Sequence, residues 1–202
     1  MSPSPYKTFL VCHGAWGGGW SWKKMHPLMQ ATGHRLVTPT YTVLGERAHL
    51  ASPAVDLETH IQDMLNVIHF EDLRDIVLVG HSYGGMVATG VADRARDRIE
   101  QTNPVSADTS SADRDWLIPR RLNMPIKCFE TTLKLLNGET SLPRSYIYAT
   151  RIAPADTFGQ FAARARSEGG WRYFEIDASH SPNVTAPEAL MALLLKIVET
   201  ER

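Results

Sequence analysis

A mostly parallel β-sheet with helices on both faces, an α/β fold, is the architecture this sequence predicts. Three observations predict it. Short apolar runs such as YKTFLVC (residues 6–12) and IVLV (76–79) alternate with segments whose apolar residues recur at helical spacing. Two of those runs pass straight into glycine-rich turns, GAWGGG and GHSYGG. The chain has 202 residues, 43% of them hydrophobic, which suits one domain with a proper core.

Taken in order, residues 6–12 form the first strand and lead into His13-Gly14-Ala15-Trp16-Gly17-Gly18-Gly19. A helix follows through Trp20 to Met29, and Gly33 closes it, glycine being favoured just past a helix end. His34 to Thr38 is the next strand, ended by Pro39, and Gly45 and Pro53 mark residues 41–55 as a loop. From Leu57 to Phe70 the residues Leu57, Ile61, Met64, Leu65 and Ile68 repeat at helical spacing. Strand 76–79 and helix 86–98 come next. Residues 100–115 are polar and predict no strand; Trp116 to Leu136 is mixed and partly helical. Strand 145–150, helix 158–167 and strand 171–176 restore the rhythm. The last helix covers 186–198, with Pro187 at its start, where a missing N–H costs little.

Composition narrows the function. The formal net charge of −1 gives no steering toward nucleic acid or an anionic membrane. No apolar run spans a bilayer, and MSPSPYK lacks the layout of a signal peptide, so a cytoplasmic protein is expected. Cys12 and Cys128 make no disulfide framework, and no spacing suggests a metal site, a dinucleotide fingerprint or a P-loop. The expectation is a single domain over 1–202, with 100–140 as a reduced insert and no cofactor.

The chemistry sits in the turns. Gly80-His81-Ser82-Tyr83-Gly84 fits G-x-S-x-G, in which the serine occupies a sharp strand-to-helix turn with its hydroxyl exposed above the sheet. The plain alternative is a glycine-rich turn with an incidental serine, but the strand before and the helix after are the context the motif requires. A serine hydroxyl needs a base. Loops at the carboxyl ends of parallel strands gather in one crevice. His180, after the last strand, therefore shares an edge with Ser82. His26, His34, His49, His60 and His69 lack convergent partners and read as solvated or structural, and His81 should point away from the serine and support the turn. The backbone N–H groups of Tyr83 and Ala15 are the expected oxyanion donors. Asp156, after strand 145–150, is the expected acid behind His180; Asp177, Asp108 and Asp113 are its alternatives. Trp16, Trp20 and Trp116 are candidate pocket walls, Trp16 foremost.

The segments FLVCHGAWGGGWSW, GERAHL, VLVGHSYGG and DASHSPNVTAPEAL together resemble the α/β-hydrolases, in particular plant methyl esterases, hydroxynitrile lyases and their bacterial esterase relatives. The resemblance implies a Ser-Asp-His triad, no cofactor and a small helical cap. Carried over by position, it makes Ser82 the nucleophile, His180 the base, and Ala15 and Tyr83 the oxyanion donors. Lyases of this group carry a threonine and a lysine where this chain has Gly14 and Ser181, which favours hydrolysis of a small-molecule ester. Two departures stand out. A core strand and much of the cap are missing after Ile99, and the family's acid falls where this chain has Ile152 and Ala153. Either strand 145–150 moves beside 76–79, or a partner chain fills the gap and makes a swapped homodimer, or the chain is an inactive relative. The functional alternatives are therefore a silent ligand-binding protein and, third, a lyase.

Overall fold

The computed structural model describes residues 6–95, 99–105, 112–113, 116, 118–121, 123–138, 141–151 and 156–200. Six strands form one sheet: β1 Thr8–Cys12, β2 Arg35–Val37, β3 Ile76–His81, β4 Ile99–Val105, β5 Arg144–Ala149 and β6 Trp171–Ile176. Their order is β2-β1-β3-β4-β5-β6, and every neighbouring pair is parallel. The expected α/β fold is present.

Side chains alternate across a strand, so each inner strand feeds two cores. Phe9 and Val11 of β1, with Val77 and Val79 of β3, join Trp22, Met25, Leu190, Leu194 and Ile197 on one face. Leu10 and Cys12, with Ile76 and Leu78, join Leu57, Ile61, Met64, Val87 and Val91 on the other. The helices that cover these faces are α1 (Met25–Ala31), α2 (Leu57–Phe70), α3 (Gly84–Arg94), α4 (Lys127–Glu130), α5 (Gly159–Ser167), α6 (Pro182–Thr185) and α7 (Pro187–Glu199). Asp56 and Thr59 close α2 with a reciprocal capping box, which satisfies amides the helix itself leaves unpaired. Pro187 opens α7 as expected.

One expectation fails. Residues 100–115 were expected to hold no strand, yet Ile99–Val105 runs between β3 and β5. Paired backbone explains it: the inner edge of β3 carries N–H and C=O groups that a buried sheet cannot leave unmatched. IEQTNPV supplies that partner despite a polar composition. Its register against β3 shifts between Ile76 and Val77, so that Ile99 and then Gln101 are matched and Glu100 is passed over. The place beside β3 is thus taken by β4 of the same chain, and β5 is not displaced into it. Among the described residues, no helix is long and apolar enough to cross a membrane.

Candidate active site

Because all six strands run the same way, the loops after β1, β3, β5 and β6 open on one edge of the sheet. Ser82 occupies the turn between β3 and α3 with φ +53°, a left-handed conformation costing a non-glycine residue about 1–2 kcal/mol. The turn is tight for a visible reason. A side chain on Gly84 would stand 2.0 Å from the Cys12 carbonyl oxygen and 2.6 Å from that of His13. The first turn of α3 can therefore lie against the end of β1 only without a Cβ.

His180, in the loop between β6 and α6, places Nε2 at 3.0 Å from Ser82 Oγ. That is hydrogen-bond reach for a nucleophile and its base. Phe158 stacks on the imidazole, with ring centroids 4.5 Å apart and planes 22° off parallel. His81 supports the same loop from beneath: its Nε2–H donates to the His180 carbonyl at 2.9 Å. Burial, with His180 close by, holds the pKa of His81 down to about 3, so its ring is neutral. The expectation that His81 supports the turn understates it, because it also ties the serine turn to the histidine loop.

The glycine loop after β1 closes over this pair. A Cβ on Gly14 would lie 2.9 Å from His81 Nδ1 and 3.4 Å from Ser82 Cβ, which measures how near that loop comes to the serine. Ala15 follows at once. The amides of Ala15 and Tyr83 donate to no acceptor among the described residues. Trp16 has φ +58° and is 44% exposed; its ring lies 6.0 Å from that of Phe129, and the Arg121 guanidinium lies 5.8 Å from it. Phe129 in turn lies 5.7 Å from Tyr83. Phe158 thus stands against His180 and Phe129 against Tyr83, with Trp16 next to Phe129. Trp20 and Trp116 pack edge to face on each other, 5.2 Å apart.

The expected acid is not brought to the imidazole. Asp156 accepts from the Tyr148 hydroxyl at 2.7 Å, the Phe158 amide at 3.0 Å and the Gly159 amide at 2.7 Å, and makes no hydrogen bond to His180. These donors, Tyr148 first, hold its pKa below the usual carboxylate range. Asp156 thus caps α5, the helix that carries Phe158 to the histidine. Of the alternatives, Asp177 pairs with Arg151 and Asp113 with Lys24, each at 2.5 Å. Asp108, with Ile152 and Ala153, lies outside the described residues.

Two histidines matter more than the sequence reading allows. His60 is fully buried; Nδ1 accepts from the Tyr83 hydroxyl at 2.8 Å and Nε2–H donates to the Thr42 carbonyl at 3.1 Å. Its place was signalled, since position 60 falls three after Leu57 and four before Met64 on the apolar face of α2. His13, also fully buried, contacts the Gly14 carbonyl through Nδ1 at 2.8 Å and the Tyr41 amide through Nε2 at 3.2 Å. Burial pushes its pKa down to about 3.

Comparison with known proteins bears on the family and the fold. A family profile described as the alpha/beta hydrolase family matches residues 9–130. A carbendazim hydrolyzing esterase of Nocardioides sp. (strain SG-4G) is 32% identical over 233 aligned positions, covering 91% of this chain and 96% of that protein. Since 233 exceeds the 202 residues here, that relative carries residues this chain lacks. Salicylic acid-binding protein 2 of Nicotiana tabacum is 31% identical over 83 residues, 40% of this chain and 31% of its own. The crystal structure of a methylesterase from Arabidopsis superposes with a TM-score of 0.83 at 21% identity, over 96% of this chain and 99% of that one.

Proposed function

The chain belongs to the alpha/beta hydrolase family, and from that premise we propose that it is a carboxylic ester hydrolase working through an acyl-enzyme on Ser82. The observation that carries this reading is the 3.0 Å contact of His180 Nε2 with Ser82 Oγ at the tip of a strained turn. As His180 takes the proton, Ser82 Oγ attacks the acyl carbon, and the oxyanion that forms is held by the Tyr83 and Ala15 amides. Each such donor is worth about 2.7–4 kcal/mol of transition-state stabilisation. Collapse expels the alcohol, protonated by His180; water activated by His180 then releases the acid and restores the serine. The N-terminus of α3 points its partial positive charge at the same spot.

Trp16, Phe129 and Phe158 favour small, largely apolar esters. The names of the relatives, a carbendazim hydrolyzing esterase and methylesterases, support the ester class. Asp156 enters this reading as a positioning residue, acting through the helix cap and Phe158. Its engagement away from His180 is also what favours the rival reading, a catalytically silent ligand-binding protein. Hydrolysis of p-nitrophenyl acetate and butyrate separates the two. The esterase reading expects turnover that disappears in Ser82→Ala; no turnover in the unaltered chain, or equal turnover in Ser82→Ala, rejects it.

A further inference from the structure

Resting on that reading, the buried rings beneath the site explain how one oxyanion donor is aimed. The Tyr41 backbone amide can only donate, so His13 Nε2, 3.2 Å away, must be its acceptor and carry no proton. A neutral imidazole then has its proton on Nδ1, where it donates to the Gly14 carbonyl at 2.8 Å. That carbonyl and the Ala15 N–H belong to one planar trans peptide unit and point in opposite directions. Fixing the carbonyl fixes the amide. The fixing is needed because Gly14 has no side chain to restrict its dihedrals, and the only other donor to its carbonyl among the described residues, the Gly17 amide, is a long 3.4 Å away.

The imidazole is itself held. Its ring lies 3.9 Å from that of Tyr41, Tyr41 stacks on His60 at 4.8 Å and 13°, and His60 meets Tyr83 edge to face at 5.7 Å. His60 also accepts the Tyr83 hydroxyl proton. One run of four rings thus joins the residue behind the first oxyanion donor to the residue that supplies the second. We propose that His13 is the positioning residue of the oxyanion hole, using its Nδ1–H on the Gly14 carbonyl to aim the Ala15 amide. Donation into that carbonyl also polarises the peptide, which strengthens its N–H as a donor.

Three variants and one spectrum test this. His13→Leu removes the donor; His13→Asn keeps an N–H near the place of Nδ1. In His13→Leu, kcat for p-nitrophenyl butyrate should fall about 10–100-fold with KM within about twofold, since a misaimed donor costs less than an absent one. The Ki of a trifluoromethyl ketone, which forms an oxyanion on Ser82, should rise by the same factor, and His13→Asn should recover most of both. Loss confined to KM, loss of kcat with an unchanged ketone Ki, or no rescue by asparagine overturns the proposal. Should His13→Leu fail to fold, 15N-histidine spectra of the unaltered protein decide, with His13→Asn assigning the signal. Nδ1 protonated and Nε2 bare is required, and the opposite tautomer refutes the role. The same tautomer is expected in Ser82→Ala, so a failure of the esterase reading is distinguishable from a failure of this one.

Discussion

At the scale of single residues, the site depends on absent atoms as much as on present ones. Gly84 sits where a methyl group would meet the Cys12 and His13 carbonyls, and both are backbone atoms at the end of β1 that cannot swing aside. Gly84→Ala should therefore cost at least the ~1–3 kcal/mol of ordinary overpacking and lower the urea midpoint. An unchanged midpoint would mean that the first turn of α3 is looser against β1 than described. Ser82 accepts a left-handed φ because that contact and the buried β3 hold the turn on both sides. Such backbone strain persists only because the surrounding packing holds it. These features were legible early: Ser82, its glycines and His180 follow from motif and chain order. His13 and His60 were not, because a histidine's role depends on which nitrogen meets which partner. Sequence gives the residue and not the contact.

The element scale decides how Asp156 is understood. Its carboxylate caps α5 and takes the Tyr148 hydroxyl, while Phe158, two residues on, stacks against His180. A side-chain oxygen suffices for that work, and asparagine provides one. Asp156→Asn should then lower kcat/KM by no more than about tenfold. A carboxylate orienting the imidazole directly would lose about 10⁴ on the same change. Steady-state kinetics on one ester separates the two magnitudes. Sequence placed Asp156 on the correct edge of the sheet but could not tell a cap from a catalytic acid, since both follow a strand and precede a helix. Strand β4 was missed for another reason. Apart from Pro104, IEQTNPV has apolar residues only at its two ends, Ile99 and Val105, whereas an inner parallel strand is expected to be a run of Val, Ile and Leu; the need to pair β3 outweighed local preference. By contrast α2, β6 and α7 carry their periodicity on the surface of the sequence and fall within a residue of their expected bounds.

For the whole molecule, the buried histidines make stability depend on acidity. Burial holds His13 and His81 at a pKa of about 3, against 6.5 for the free side chain, and lowers His60 as well. The unfolded chain binds protons on these rings first. Their contribution is thus complete above about pH 6.5 and drains away as pH falls toward 3, at up to about 1.4 kcal/mol per pH unit for each ring. The urea midpoint should be clearly lower at pH 5.0 than at pH 7.5. An equal or higher midpoint would show that these rings carry protons in the fold, contrary to the hydrogen bonds assigned to them. The chain has fewer residues than the 233 positions over which it aligns with its esterase relative, and it still forms a six-stranded parallel sheet. The parallel sheet, completed by β4, brings four loops to one edge, where Phe158 lies against His180 and Phe129 against Tyr83.

All of this turns on whether the Ser82 hydroxyl is activated by the ring beside it. Intact and peptide mass spectrometry after exposure to a fluorophosphonate probe reads that directly, because only an activated serine is phosphonylated. One adduct per chain is expected, on the peptide bearing Ser82, absent in Ser82→Ala and formed at least 100-fold more slowly in His180→Ala. No adduct on the unaltered protein, or one that forms as fast without His180, would contradict it.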